Sequence, residues 1–441
     1  MTLKLSEMSY PKRNIMYDYQ EFWIGIDDTD SLHGMCTTYL AVKIIEELKK
    51  LGFNIIGYPR LIRLNPNVPF KTRGNGAVSF LVKGEIDEII NVIDKNIEKH
   101  AELDDDNTHP GVVIVRNYQK DLEKIYPFSN KVIKDVVQIS DATKIIRQLS
   151  FSIVLAYKTG RGVIGALAAI GTKLYDYTYE LLTYRFPENF DKERVIDEDS
   201  FYEADLETYP KTWDTVDWQN KVVVAVPNSP NPVLYGIRGD SISAILKAKE
   251  IIKTEKYEHE MIFVTNQGTD MHLIKEDEIQ KLEDYRSYII RGKVVKDPEY
   301  KMGGHVFFSI MTKFGEITCA AFEPTKQFRN IVSKLKTGDI VEVYGGYKKG
   351  CINLEKINVI EVADVYIERN PICPKCGKRM KSAGKNQGFR CKRCKTYEFK
   401  KEKIKVKREI ETGFYEVPPC ARRHISKPLI RMNVEKRHIF R

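Results

Sequence analysis

Cys373-x2-Cys376 and Cys391-x2-Cys394, with 14 residues between them, form the pattern in this chain that most firmly dictates a local fold. Two such knuckles close a tetrahedral thiolate cage around Zn2+, and four thiolate ligands leave no coordination position open for catalysis. The spacing predicts a structural zinc ribbon held by Cys373, Cys376, Cys391 and Cys394. The other four cysteines (Cys36, Cys319, Cys351 and Cys420) are scattered, which suits a reducing compartment and not a secreted disulfide framework. Lys375, Lys378, Arg379, Lys392 and Arg393 surround the knuckles and would present positive charge to RNA.

That charge belongs to a wider asymmetry. From Pro371 to Arg441 there are 22 Lys and Arg against 6 Asp and Glu, leaving 49 basic and 55 acidic residues in the first 370. A basic end on a near-neutral body points to a polyanion held from that end, the alternative being a solvated tail without a partner. At 441 residues the chain needs three or four modules instead of one core. No run reaches the ~18 apolar residues of a spanning helix, and "MTLKLSEMSYPKRN" has no secretory apolar core, so a cytoplasmic protein with no membrane partner is expected.

The modules follow from periodicity. Phe22, Ile24 and Ile26 alternate as a strand, and Leu40, Ile44, Leu48 and Leu51 recur at helical spacing from about Thr38, with Gly52 as the stop. After an extension over 1–20, a first α/β module is expected over 21–140. A second α+β module, 141–283, carries the polar-glycine clusters "YKTGRGVIG", "NSPNPVLYGIRGD" and "TNQGTD". Three such clusters exceed what connections require and suggest a small-ligand pocket. Over 284–366 five short strands, with "FRNIVSKLKTG" as a helix between the third and fourth, give the order of an oligonucleotide-binding barrel. Tyr344, Tyr347, Phe307, Phe308 and Phe322 offer stacking faces there, although most such rings belong in barrel cores, and Lys348, Lys349, Lys326 and Arg329 offer phosphate contacts. The ribbon and the basic end occupy 367–441, with Arg422 and Arg423 as further candidate RNA contacts.

Between the first strand and the first helix lies "GIDDTDSLHGMCTTYLA". Asp27, Asp28 and Asp30 grouped there can hold Mg2+, which binds through one or two acids plus substrate phosphates. Gly34 before a helix start bearing Thr37 and Thr38 offers N–H groups and hydroxyls to the same phosphates. The plainer reading makes the acids turn formers and one threonine an N-cap. No Walker loop is present.

Those residues, together with "YPRLIRLNPNVPFKTRGNGAVS", "NPVLYGIRGDS", "TNQGTDMHL", "GGHVFFS", "AFEPTKQFR" and "ETGFYEVPPCARRHISKPLIR", resemble the archaeal tRNA(Ile) 2-agmatinylcytidine synthetases, the agmatidine synthases. The resemblance runs in order from about Trp23 to the end. It implies a multidomain α+β protein with an N-terminal α/β kinase-like domain, a ferredoxin-like α+β domain, a β-barrel OB-fold and a C-terminal zinc ribbon. It implies an ATP-dependent ligase that joins agmatine to C2 of the wobble cytidine of isoleucine tRNA with anticodon CAU, through phosphate activation of the base, and no obligate protein partner. By the same resemblance Asp27, Asp28 and Asp30 are the catalytic and magnesium-binding acids and Thr37 is the autophosphorylated residue. Gly34, Thr38, Lys71 and Arg73 would contact the nucleotide, with Arg60 and Arg63 as further phosphate contacts. Arg238, Gly239, Asp240 and Asp270 are candidates for agmatine. The alternative, a non-catalytic OB-fold and zinc-ribbon binder of RNA or single-stranded DNA, leaves the acid cluster without a role.

Overall fold

The computed structural model describes residues 20–72, 74–434, 436–438 and 441. Almost all of the expected extension, and Arg73, lie outside the described residues. Strand β1 (Gln20–Asp27) sends Phe22, Ile24 and Ile26 to one core and Trp23 to another. Helix α1 (Thr37–Lys50) buries Leu40, Ile44, Ile45 and Leu48, the stripe that makes an amphipathic segment helical once packed. It ends at Gly52, φ +87, where Gly52 N–H bonds the Lys49 carbonyl at 3.0 Å and Phe53 N–H bonds that of Leu48 at 3.0 Å. A left-handed residue closing both bonds is a Schellman stop.

β2 (Asn54–Arg63), β3 (Gly76–Gly84), α2 (Ile86–His100), β4 (Gly111–Arg116), α3 (Gln119–Lys134), α4 (Ile139–Ile146), β5 (Ser152–Ala156) and α5 (Val163–Gly171) complete the first unit. Helices α1 and α2 cover one face of its sheet and α3, α4 and α5 the other. β5 pairs with β4 from Gly111–Ala156 to Val115–Ser152, so this sheet continues past the end expected at residue 140.

The next unit contributes β6 (Thr178–Tyr184), α6 (Glu198–Thr208), the short strands β7 (Thr212–Trp213), β8 (Val216–Asp217) and β9 (Val222–Val223), then β10 (Val233–Gly239), α7 (Ile242–Ile251) and β11 (His259–Thr265). It does not form a sheet of its own. β11 pairs in parallel with β2 through Val264–Arg60 and Thr265–Leu61, giving one 9-stranded sheet in the order β5-β4-β1-β3-β2-β11-β6-β10-β7. That parallel seam brings two stretches about 200 residues apart in sequence onto one surface.

β12 (Leu273–Lys275) leads to the barrel strands β13 (Ser287–Lys301), β14 (His305–Thr312) and β15 (Gly315–Ala321), the helix α8 (Phe328–Val332), then β16 (Ile340–Lys348) and β17 (Cys351–Glu361). β13 pairs with both β14 and β16, and β17 pairs with both β15 and β16, so the five strands close on themselves. A closed five-stranded barrel with the helix after its third strand is the OB-fold.

Beyond the ribbon, strand Gly413–Glu416 joins the barrel edge at β17, and the chain then returns to the nine-stranded sheet. Lys356 of β17, fully buried, donates to Asp270 at 2.6 Å and to the Lys427 carbonyl at 2.6 Å. Arg431 pairs with Asp176 at 2.8 Å and Asp240 at 2.7 Å. The segment Pro418–Arg431 is therefore a strap tying barrel to sheet, and this part of the expected basic end is not a solvated tail. Among the described residues no helix is long and apolar enough to cross a membrane.

Candidate active site

A cavity of about 460 Å³ opens where β1 ends and α1 and α5 begin, and both halves of the nine-stranded sheet line it. Its acid end is set by how closely α5 approaches β1. A Cβ on Gly25 would lie 2.0 Å from the Ala166 carbonyl oxygen, and one on Gly165 would lie 1.9 Å from Oδ2 of Asp27. Only residues without side chains permit that contact. Consequently Asp27 abuts α5, its Oδ1 accepting the Asp28 N–H at 2.8 Å. Asp28 takes a left-handed conformation, φ 60, and its Oδ2 receives Arg161 Nε at 3.0 Å and Nη2 at 2.8 Å. Asp30 accepts the Thr72 hydroxyl at 3.4 Å, and its carbonyl accepts that of Thr108 at 2.8 Å.

Burial pushes the Asp27 carboxyl well above its ordinary range, and the Asp28 and Asp30 charges raise it further against the pull of Arg161. Burial also raises Asp28, opposed by Arg161. Carboxylates crowded in this way are relieved by a cation. The starts of α1 and α5 reach the same space through Thr37, Thr38 and Gly162; the first N–H groups of α1 have no partner inside their own helix, whereas those of Gly162, Val163 and Ile164 bond the carbonyls of His109, Gly160 and Arg161 at 3.0, 3.0 and 3.1 Å. Thr37 is buried, and its Oγ1 accepts the Thr29 hydroxyl at 3.1 Å. Acids facing the start of α1 fit a metal–polyphosphate group: the carboxylates suit the cation and the α1 N–H groups suit the phosphates.

The other end of the cavity is cationic. Arg238 Nε donates to the buried Glu180 at 3.0 Å, Arg63 lies 3.7 Å from the same carboxylate, and Lys71 and His424 complete the wall. His424 opens onto the cavity, and partial removal from bulk water lowers its imidazole below its ordinary value, with Arg238, Arg63 and Lys71 adding to the effect.

Asp27, Asp28, Asp30, Thr37, Thr38, Lys71, Arg63 and Arg238 thus share one cavity. Gly34, Gly239, Asp240 and Asp270 do not line it. Asp240 faces Arg431 instead, and Asp270 accepts Lys356 Nζ and, at 2.7 Å, the Lys427 N–H, so both secure the strap. Arg60 lies over the Trp23 ring at 4.1 Å and donates to the Thr172 carbonyl at 3.3 Å; it supports α5 and does not face the cavity. Arg161, Glu180 and His424 were not anticipated. "YKTGRGVIG" and "NSPNPVLYGIRGD", flagged as pocket-like, supply Arg161, Gly162, Gly165, Asn228 and Arg238 to the wall. "TNQGTD" serves the strap, since Gly268 N–H bonds the His424 carbonyl at 2.8 Å.

Two expected RNA contacts are corrected. Arg422, with a side chain 3% exposed, is enclosed by Asp214 and by Glu416 at 3.0 Å. Tyr344 is buried, its hydroxyl on Glu342 and its ring beside Phe414 of the strand Gly413–Glu416 that joins the barrel edge. Phe308 is likewise core, and Tyr347 is partly buried against it, edge-on to Tyr288. Phe307 and Phe322 pack edge-to-face at 5.9 Å. Arg423 is held by Glu355 at 3.1 Å and Asn67 at 2.8 Å, and Arg329 donates to the Gly304 carbonyl. Lys326, Lys348 and Lys349 remain exposed.

In the ribbon, sulfur atoms of Cys373, Cys376, Cys391 and Cys394 lie within 4.8 Å of one another, with Cys376 and Cys391 at 3.6 Å. A tetrahedron of ~2.3 Å Zn–S bonds requires sulfurs about 3.8 Å apart. Each knuckle turns back through a left-handed residue, Gly377 and Lys395. Lys375, Lys378, Arg379, Lys392 and Arg393 are exposed around it.

Comparison with known proteins covers nearly the whole chain. Family models match as the TiaS TCKD domain over residues 23–157, the TiaS FLD domain over 160–272, an OB-fold nucleic acid binding domain over 279–354 and the TiaS C-terminal zinc ribbon domain over 370–410. The tRNA(Ile) 2-agmatinylcytidine synthetase TiaS of Archaeoglobus fulgidus is 58% identical over 95% of this chain and 99% of its own. That of Methanosarcina mazei is 47% identical over 92% and 97%. A crystal structure of TiaS in complex with its isoleucine tRNA and ATP superposes with a TM-score of 0.91 at 57% identity, covering 96% of this chain and 100% of that one. The complex of TiaS with the same tRNA, AMPCPP and agmatine does so with 0.88 at 54% identity, with the same coverage.

Proposed function

The chain belongs to the tRNA(Ile) 2-agmatinylcytidine synthetase TiaS family, and from that premise we propose that the acid-lined cavity is where ATP drives the joining of agmatine to the wobble cytidine. The protein is an enzyme of tRNA modification that forms agmatidine on its isoleucine tRNA, using ATP and agmatine and carrying a zinc ribbon. We assign it to the ATP-dependent ligases and, as an enzyme that modifies tRNA, to the cytoplasm. The reading of a non-catalytic binder is set aside.

The observation that carries the site assignment is the convergence of Asp27, Asp28 and Asp30 with the starts of α1 and α5 on one cavity. The three aspartates would hold Mg2+, which supplies charge neutralisation of the phosphates during transfer. Thr38 and the N–H groups at the start of α1 grip the polyphosphate, and Thr37, whose Oγ1 already accepts from Thr29, has its own proton to donate or lose. A ring carbonyl oxygen leaves poorly, so the 2-oxygen is first phosphorylated and then displaced by the amine of agmatine. Arg161 pairs with Asp28 until a metal competes for that carboxylate. Glu180, buried between two guanidiniums, fixes Arg63 and Arg238 on the opposite wall.

The tRNA enters as an anticodon loop with its target base extruded, at a cost of a few kcal/mol that a single-stranded loop lowers. Exposed Lys348 and Lys349 on the barrel and the basic ribbon hold its backbone. Incubation with ATP, labelled agmatine and isoleucine tRNA of anticodon CAU tests the assignment, with methionine tRNA of the same anticodon as control. Label on the isoleucine tRNA alone is expected, and none on either would refute it.

A further inference from the structure

Displacement at C2 moves one proton. As the N–C2 bond forms, the amine nitrogen must lose a proton; as the C2–O bond breaks, the electron pair goes to the phosphate oxygen, which gains one. A group in the cavity with a lone pair ready can carry that proton from one atom to the other.

Few groups on the wall qualify. Asp27, Asp28 and Asp30 are committed to the cation, Asp135 is paired with Arg286 at 2.6 Å, and Glu180 is engaged by Arg238, Gln267 and Arg63. The Cys420 thiol is pushed up to about 12 by burial and Asp217, and Cys36 Sγ lies 3.0 Å from the Thr38 hydroxyl. His424 differs. Its ring is open to the cavity, and among the described residues its nitrogens make no hydrogen bond. Its backbone is nevertheless fixed: Gly268 N–H bonds the His424 carbonyl at 2.8 Å, and Thr269 and Asp270 bond that of Ile425 at 3.1 and 3.0 Å. Its neighbour Arg423 is anchored to Glu355 and Asn67, and Arg422 to Asp214 and Glu416. A strap so firmly secured, presenting one unengaged imidazole, is built to place that ring.

The charges around it complete the argument. Arg63, Arg238 and Lys71 share the cavity wall with His424 and their charges disfavour its protonation, which favours an available lone pair before substrate arrives. A phosphorylated base brings negative charge to the same cationic wall, where an imidazolium can form transiently.

We propose that His424 is the proton relay of the displacement step, taking the proton from the attacking amine and delivering it to the oxygen of the departing phosphate. The inference rests on the phosphate-activation reading above.

The test separates the two half-reactions in the full-length enzyme. With γ-labelled ATP and the isoleucine tRNA but no agmatine, His424→Gln should label the tRNA at the wild-type rate. On addition of agmatine, phosphate release and agmatidine formation should fall about 10²- to 10⁴-fold. Displacement at the wild-type rate would overturn the relay, as would a parallel loss of both halves, the signature of a merely structural histidine. Wild-type enzyme that never labels the tRNA would overturn the activation reading and the relay with it. Gly74→Ala provides a second probe should His424→Gln not fold, because its Cβ would sit 3.0 Å from Cδ2 and 3.4 Å from Nε2 of His424, and 3.2 Å from Arg63 Nη1; Arg63→Gln run in parallel measures what a shift of that guanidinium contributes. Displacing the ring by a few tenths of an ångström should slow displacement about tenfold while leaving tRNA labelling unchanged, and equal loss of both would count against the relay.

Discussion

Gly165→Ala tests how the site is positioned without replacing a charged group. The added Cβ would lie 1.9 Å from Oδ2 and 2.7 Å from Cγ of Asp27, whereas ordinary contact begins at 3.4 Å. Either the carboxylate or α5 must therefore move by about 1.5 Å, the difference between those distances. Stability should change little: alanine gains about 1 kcal/mol over glycine inside a helix, and local overpacking costs about 1–3 kcal/mol. Activity should change much more, since a misplacement of about 1 Å costs on the order of 10²-fold, or ~2.7 kcal/mol of transition-state stabilisation. The assay pairs agmatidine formation with thermal unfolding and tRNA binding. The expected result is a folded, tRNA-binding protein at least about 100-fold slower; full activity at an unchanged melting temperature would refute the idea that α5 sets the Asp27 carboxylate.

Asp28→Asn should abolish product formation while tRNA affinity stays within about threefold of wild type, and a large loss of binding would contradict a metal-holding role. Thr37→Ala should remove autophosphorylation, read as label retained on the protein from γ-labelled ATP; persistent label would move that role to Thr38 or elsewhere. Cys373→Ser should lower zinc content and tRNA affinity together, and unchanged affinity without zinc would leave the ribbon no part in holding tRNA. Glu355 tests the strap by pH. Burial raises its carboxyl, but His272 and Arg423 outweigh that and hold it at about 2 against an ordinary 4.5. Its folded value is the lower one, so its contribution, on the order of 3 kcal/mol, is complete above pH 4.5 and lost as the pH falls from there toward 2. Glu355→Gln should flatten the melting temperature across that window, and an unchanged slope would show the pair to be inconsequential.

Much of this was legible from residue order, because it is local. The knuckle spacing, the strand–acid–helix stretch with its Gly52 stop, and the five barrel strands each carry their signal within a few tens of residues. What the sequence concealed depends on distant pairing. The β2–β11 seam involves only Val264–Arg60 and Thr265–Leu61, too short to leave a pattern, yet it merges two expected modules into one sheet and brings Glu180 and Arg238 to the acid cluster. Arg161 and Gly165 lay in a segment assigned to the second module, and only their contact with β1 gives them meaning. Arg422 looked like any surface arginine because Asp214, its buried partner, is 208 positions away. The acid in "TYELLTY" was the one available hint of Glu180: a carboxylate amid buried strand residues requires partners.

Central to the account is that Asp27, Asp28 and Asp30 grip the metal–ATP group between α1 and α5. Anomalous diffraction from crystals grown with ATP and Mn2+ in place of Mg2+ tests it directly. A manganese peak about 2.1 Å from aspartate oxygens of this cluster, with triphosphate density against Thr38 and Gly162, is the predicted result; ordered manganese and ATP elsewhere, with these carboxylates still paired to Arg161 and Thr72, would contradict it.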